Sequence, residues 1–377
     1  MSDTLFDSTH RYASNNDFSD LVGGNSSITH KIYESTDSLN VTTQSGDLVY
    51  RESKKVFPCQ PGKALTVIQS FVFSSAKNGL RQRVGYFSRQ NGFYLQLNDS
   101  TLSIVSRTST SGSPIETLVN QDQWNVDTFD GTGPSRITLD INKSQILFTE
   151  YEWLGVGSVK VGFAIDGQFH TAHQFNHANY LDKVYMTASN LPVRYEIQNI
   201  NTTSSPSALK QICVTVLSSG GYKRSTELRS AARPELISNF GTTFVPISAI
   251  KMSEQRTDSV VRLARASGIV TTSNNVEIVV FRNPTLTGGT WITHRSTGNV
   301  QYNTSATGIS GGSVVRQMFI AGSNQSNVQA DIVIEDGLDM QLGRTNTDPQ
   351  VSDVFALAIR TLSGTADGTG ALHWYDH

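Results

Sequence analysis

From Asp47 onward the chain alternates apolar and polar residues with a period of two, in short runs separated by Gly, Asn, Asp and Ser. That is the pattern of half-buried β-strands, and helical periodicity is scarce. In the run NGFYLQLNDSTLSIVSRTSTSG, Phe93, Leu95 and Leu97 share one face. The NDS triplet turns the chain, and Leu102 and Ile104 return on the same face as a hairpin. Val159, Val161, Phe163 and Ile165 alternate with Ser158, Lys160, Gly162 and Ala164, then Asp166-Gly167 turns into QFHTAHQF. PVRYEIQN and LKQICVTVLSS read as two further strands. Regularly spaced strands with one apolar face each build a two-sheet sandwich. DINKSQ at 140–145 is the exception and predicts a single helical turn.

A polar, glycine-containing passage, SSGGYKRSTELRSAARPEL, reads as a connection. Beyond it, VRLARASGIVTT, NNVEIVVFRNPTLTGGTWITH, VVRQMFIAG, QADIVIEDGLDMQLG and VFALAIRTLSG alternate again, which predicts a smaller C-terminal β domain over 223–377. Residues 1–47 are different. Ser, Thr, Asn and Asp dominate, with Leu5, Phe6, Phe18, Ile32 and Tyr33 as isolated anchors. Such a segment buries too little apolar surface to offset its backbone entropy, so it predicts an extended N-terminal arm that is ordered only against its own body, a sister subunit or a neighbour. The expected domains are therefore 1–47, 48–222 and 223–377, all of them β or extended.

The 377 residues are enough for two or three domains with real cores, and the formal charge of −2 leaves no basic run that could track a phosphate backbone. Nucleic acid is excluded as a partner on that ground, and no apolar stretch approaches the ~18 residues of a membrane span. MSDTLFDSTHRYASNN lacks the charged and apolar regions of a secretion signal, which suggests a protein made in a cytoplasm. Cys59 and Cys213 stand far apart without a C-x-x-C pattern and read as free, buried thiols.

The densest chemistry lies in TEYEWLGVGSVKVGFAIDGQFHTAHQFNH, residues 149–177. Glu150 and Glu152 share a strand face about 7 Å apart, a separation within the range of an inverting glycosidase but also that of any half-solvated strand. His173 and His177 could share a face while His170 points away, and no further ligand or H-E-x-x-H pattern completes a metal site. DTFDGTG at 127–133 offers Asp127 and Asp130, too few acids for a calcium loop by themselves. No G-x-S-x-G, Walker or dinucleotide motif occurs, so no cofactor is expected.

Two resemblances bear on these residues. EYEWLG resembles the catalytic strand of the laminarinase and lichenase type of glycoside hydrolase, a concanavalin-like sandwich whose pattern is E-x-D-x-E. That alignment puts the acid/base at Glu152 and the middle carboxylate at Glu150, while the nucleophile's place falls on Phe148, which cannot attack an anomeric carbon. Over roughly 48–222, the runs from PCQPGKALTVIQSFVFSS through QDQWNVDTFDGTGPSRITLDINKSQILF to LKQICVTVLSSGGY resemble virion structural proteins of tailed phages of marine bacteria, cyanophages among them. The order of motifs is also similar to laminin-G and pentraxin-type concanavalin-like (jelly-roll) sandwiches. The resemblance implies residence in a virus particle, with copies of the chain and other virion proteins as partners.

Two functions follow as expectations. The first is a non-enzymatic structural part of the tail, baseplate or fibre apparatus, or a capsid decoration protein, joined through the arm and the sandwich surfaces into an oligomer such as a trimer. The second is a lectin-like module that holds host surface glycan, with Trp124, Trp153, Tyr180 and Trp291 as the aromatic candidates.

Overall fold

A computed structural model describes residues 2–220, 227–254, 256–271, 273–295, 298–322, 328–333 (backbone), 340–345 and 350–376. The chain divides into two compact units. The division falls in 221–226, so the boundary expected at 222/223 lies outside the described residues.

The first unit's described strands are β1 (Ser2–Thr9), β2 (Phe18–Gly23), β3 (Ser27–Lys31), β4 (Thr36–Val41), β5 (Leu48–Ser53), β6 (Ala64–Val72), β7 (Leu80–Phe87) and β8 (Gly92–Asn98). They continue as β9 (Thr101–Thr108), β10 (Ile115–Asn120), β11 (Gln145–Glu152), β12 (Val159–Ile165), β13 (Gln168–Phe175), β14 (Val193–Asn199) and β15 (Ser207–Ser219). One sheet runs β13-β12-β11-β6-β15-β4-β3, with β1 also on β15, and the other runs β10-β9-β8-β7-β14-β5-β2. All pairings are antiparallel, and the chain crosses repeatedly from one sheet to the other, giving the all-β, two-sheet sandwich that the alternation predicts. Inward residues of both sheets form one core around Val67, Phe71, Val84, Tyr86, Phe93, Leu95, Leu147, Tyr151, Phe163 and Tyr195.

The expected hairpin is β8–β9. Asn98 pairs with Thr101, Asp99 takes φ 52° in the turn, and Phe93, Leu95, Leu97, Leu102 and Ile104 all face the core. Asp166 and Gly167, at φ 51° and 78°, likewise make the tight turn between β12 and β13. DINKSQ forms a turn and no helix: Lys143 N–H donates to the Asp140 carbonyl, and the Asp140 carboxylate accepts the Asn142 N–H. An aspartate at that position closes the turn by itself and offers nothing to extend it.

The N-terminal segment is ordered against its own body, one of the three expected supports, and as strands of both sheets instead of a separate arm. Residues 2–41 supply β1, β3 and β4 to one sheet and β2 to the other. Phe6, Phe18, Leu39 and Val41 are buried, and Phe6 packs on Phe18 and Phe57 at 5.9 and 5.3 Å between ring centroids. Ile32 and Tyr33 are the anchors left exposed, in the β3–β4 turn. Composition misleads here because several of the polar residues are themselves buried, gathered around one shared carboxylate. The fully buried Asp37 carboxylate meets His10 Nδ1 at 3.0 Å, His30 Nδ1 at 2.9 Å, Arg51 at 3.0 Å and the Ser14 hydroxyl at 2.7 Å. Arg51 also reaches Asp20 at 2.8 Å. Burial alone would push the Asp37 carboxyl up, but the His10 hydrogen bond and the Arg51 charge outweigh it and hold it far below the carboxylate range.

The second unit comprises β16 (Leu228–Ala232), β17 (Ile237–Phe240), β18 (Val245–Met252), β19 (Val261–Thr271), β20 (Val276–Arg282), β21 (Thr285–Thr287) and β22 (Ile292–Thr293). It goes on through β23 (Val300–Asn303), β24 (Gly308–Ser310), β25 (Ser313–Ile320), β26 (Val328–Val333), β27 (Val354–Thr361) and β28 (Ala366–Asp376). A β16-β28-β19-β26 sheet, with β17 on β28, and a β22-β23-β18-β27-β20-β25 sheet enclose a core of Ile250, Leu263, Ile278, Val280, Leu357, Leu372 and Trp374. β21 and β24 pair as a separate ribbon.

Candidate functional site

Strand β11 decides the reading of 149–177. Leu147, Thr149 and Tyr151 point into the core, so Phe148, Glu150 and Glu152 point outward. The Glu150 carboxylate accepts a hydrogen bond from Lys160 Nζ at 2.6 Å across the β11–β12 pair, and that bond raises the lysine's pKa. Phe148, standing where the resemblance would put a nucleophile, is buried against Phe169, edge to face at 5.0 Å. The histidines are engaged singly. His173 Nδ1 accepts the Asn125 N–H at 3.2 Å, and His177 Nδ1 donates to the Gly157 carbonyl at 2.7 Å. Burial lowers both pKa values, which favours the neutral form of each ring. Among the described residues, no three His, Cys, Asp or Glu side chains converge as a metal site would require.

In the 127–133 loop the Asp127 carboxylate accepts the Phe129 N–H at 2.9 Å and the Ser135 N–H at 2.7 Å, while Asp130 accepts the Thr132 N–H at 2.8 Å. These oxygens close the loop upon itself. Cys59 and Cys213 are free as expected but half-buried, and burial pushes the Cys59 thiol up to about 11, away from nucleophilic use.

The four aromatic candidates separate. Trp124 belongs to the core, packed between Phe129 and Phe163 with its indole N–H donating to the Val119 carbonyl at 3.1 Å. It is not available to a ligand, because the sandwich end closes over it. Trp291 lies in the second unit, half-buried, with Lys251 Nζ 4.9 Å from its ring centroid. Trp153 and Tyr180 stand on two neighbouring loops of the first unit, 153–158 and 176–185. The loops are knitted by Tyr185 N–H to the Gly155 carbonyl at 3.1 Å and by the Tyr185 hydroxyl to the Glu152 carbonyl at 3.0 Å. Gly155 has φ 76°, and a Cβ there would stand 2.8 Å from Val184, so this approach needs glycine.

Beneath this loop end lies a fixed aromatic layer. His177 stacks on Tyr185 at 3.9 Å with 10° between planes, and Trp153 meets the same ring edge to face at 5.2 Å. Tyr180 sits on the turn that follows, its N–H donating to the His177 carbonyl at 3.1 Å, and its side chain is 77% exposed. Leu181 and Val184 are exposed beside it in sequence, as are Asn179, Asp182 and Lys183, and Glu152 and Leu154 are exposed where the other loop begins.

Sequence reasoning passed over one feature. The outward side of β5, β7, β9, β10 and β14 carries Arg83, Arg107 and Arg194 paired with Glu52, Glu116 and Glu196 at 2.6–3.3 Å. Arg194 also lies 3.8 Å from the Tyr50 ring centroid. Burial would raise the Glu196 carboxyl, but the Arg194 and Arg83 charges outweigh it and hold it at about 2. The signal was the alternation of charges in RQRVGY and VRYEIQ, a pattern that a solvated strand face also shows, whereas Arg83, Arg194 and Glu196 are almost wholly buried. A groove of about 520 Å³ also opens beside β11, lined by Ile137, Asp140, Lys143, Ile146, Asp166 and Ile212.

No family model and no curated protein matches the chain. Its fold is similar to solved structures of low identity. A potassium-bound carbohydrate recognition domain of Emp46p is 8% identical over 56% of this chain and 95% of that one, at a TM-score of 0.34. A prokaryotic β-1,3-1,4-glucanase (lichenase) from a mouse hindgut metagenome is 9% identical over 56% and 97%, at 0.38. A conserved carbohydrate esterase of the Shiga toxin-encoding bacteriophage phi24B is 11% identical over 58% and 99%, at 0.32. Identities and scores of this size transfer no ligand, activity or residue role to this chain.

Proposed function

We propose that this chain is a non-enzymatic recognition module whose first sandwich holds a glycan at the loop end formed by 153–158 and 176–185. The observation that carries the reading is Tyr180, an exposed ring on a turn fixed by the His177–Tyr185–Trp153 layer and neighboured in sequence by amide, carboxylate and ammonium groups. A sugar presents a C–H face and a rim of hydroxyls, so it needs a flat apolar surface bordered by hydrogen-bonding groups. A non-enzymatic role is supported by Phe148 in the nucleophile's place and by the Glu150–Lys160 pair.

Glycan-array binding by the full chain tests the reading. Tyr180→Ala should weaken the best glycan at least tenfold, about 1.4 kcal/mol, without changing the melting temperature. Binding to no glycan, or equal binding by the variant, would overturn it.

A second reading, a structural component of a tailed-phage virion, rests on the sequence resemblance over 48–222. It no longer includes assembly through an N-terminal arm, since those residues are strands of the sandwich. Purified particles of a phage encoding this chain should contain it in fixed stoichiometry by mass spectrometry; particles without it would end this reading.

A further inference from the structure

An antiparallel sheet that packs one face on a core turns its other face to water, so the outward positions of the β13-β12-β11-β6-β15 strands should be polar. At the start of β11 they are apolar instead. Ile146 is 42% exposed between the buried Gln145 and Leu147. On one side stands Ala164, next to Phe163, the partner of Leu147; on the other stands Ser70, the partner of Ile146 itself, with Ile212 beyond it. Ile212 and Cys213 form a bulge in which both lie opposite Ser70, and the Ser70 hydroxyl accepts the Cys213 N–H at 3.0 Å. Bulges are over-represented next to functional sites, where they re-aim a side chain. These residues floor the groove of about 520 Å³, a volume within the ~300–1,000 Å³ of small-molecule sites.

The 137–145 loop is the wall, and it is preformed. The Asp140 carbonyl accepts the Lys143 N–H at 3.1 Å and Gln145 Nε2 at 2.7 Å. One oxygen of the Asp140 carboxylate accepts both the N–H and the side-chain amide of Asn142, at 3.1 and 3.2 Å. A wall fixed in this way needs little ordering when a ligand arrives. The rim carries Asp140, Lys143 and, from the β12–β13 turn, Asp166. All three are exposed, and among the described residues none is in an ion pair.

Those charges decide which small molecule fits. A wholly apolar one would cover charged groups without pairing them, an anion would meet two carboxylates, and a cation would meet Lys143. A molecule with an ammonium and a carboxylate at one end and an apolar body at the other satisfies every group. Its ammonium faces Asp140 and Asp166, its carboxylate faces Lys143, and its body covers Ile146, Ala164 and Ile212.

We propose that this groove is a binding site for a free apolar α-amino acid. It lies about 20 Å along β11 from the loop end of the glycan reading and is independent of it.

Calorimetric titration of the full chain with L-phenylalanine tests the proposal, with phenethylamine and hydrocinnamate as analogues that keep the ring and one charge each. L-Phenylalanine should saturate with a dissociation constant of about 1 mM or tighter, and each analogue should bind about fivefold more weakly or worse. Asp140→Asn with Asp166→Asn keeps side chains that suit both turns, so it should weaken L-phenylalanine about tenfold or more at an unchanged melting temperature. Lys143→Gln should bring it down to the level of phenethylamine. Should the double variant fail to fold, Ile146→Lys, on the exposed floor, decides by abolishing the same binding. No saturation by L-phenylalanine overturns the proposal. An analogue that binds as tightly, or binding that survives in the folded variants, overturns it too.

Discussion

Glu196 shows most directly how single residues hold the first sandwich together. Its carboxylate is buried between Arg194 at 2.6 Å and Arg83 at 3.1 Å, and it titrates at about 2 against an ordinary 4.5. A depressed carboxyl contributes stability that is fully present above its unfolded value and is lost as pH falls through the folded one. Glu196→Gln should therefore cost roughly 3–5 kcal/mol at neutral pH, since it removes the carboxylate that two buried guanidinium groups share and, among the described residues, leaves Arg194 only Glu52 and Arg83 only Glu116 as carboxylate partners. In urea unfolding, the gap between wild type and variant should stay level down to about pH 4.5 and shrink between there and about pH 2. A gap that grows on acidification would mean that the pair does not depress this group. Sequence alone could not find this site, because a charge at every second position is also what a solvated strand face shows, and only the neighbouring strands decide which it is.

At the scale of elements, the first four strands carry the sharpest consequence. Taken as an arm, residues 1–47 would be removable without harm to the body. As strands of both sheets they bury Phe6, Phe18, Leu39 and Val41, each contributing about 1.5–3 kcal/mol. Their sum is comparable with the whole stability of a typical domain, 5–15 kcal/mol. Removal of 2–41 also strips β15 of its β1 and β4 partners and leaves Arg51 without Asp20 and Asp37. The truncated chain should lose the dispersed proton spectrum of a packed core in its first unit. A truncated protein that keeps this dispersion and its cooperative melting would contradict the assignment of these strands to the sandwich.

For the whole molecule, the chain carries two β units, each with its own core, and the proposed glycan surface stands on loops of the first.

By itself the sequence determined the β class, most strand positions, the hairpins at Asp99 and at Asp166-Gly167, and the outward direction of Glu150 and Glu152. Period-two alternation and turn chemistry act within a few residues, so they survive without any knowledge of partners. Tertiary structure alone decided that the polar N-terminal segment is core-forming, because its buried groups find partners only once the chain is folded: the Asp37 carboxylate accepts from His10 and Ser14, and the Arg51 guanidinium donates to Asp20 and Asp37. It also decided which of four aromatics is exposed, since Trp124 and Tyr180 read alike until the sandwich closes over one and leaves the other on a loop. The limit is physical: local pattern fixes which way a side chain points, while burial depends on what the rest of the chain brings to that side.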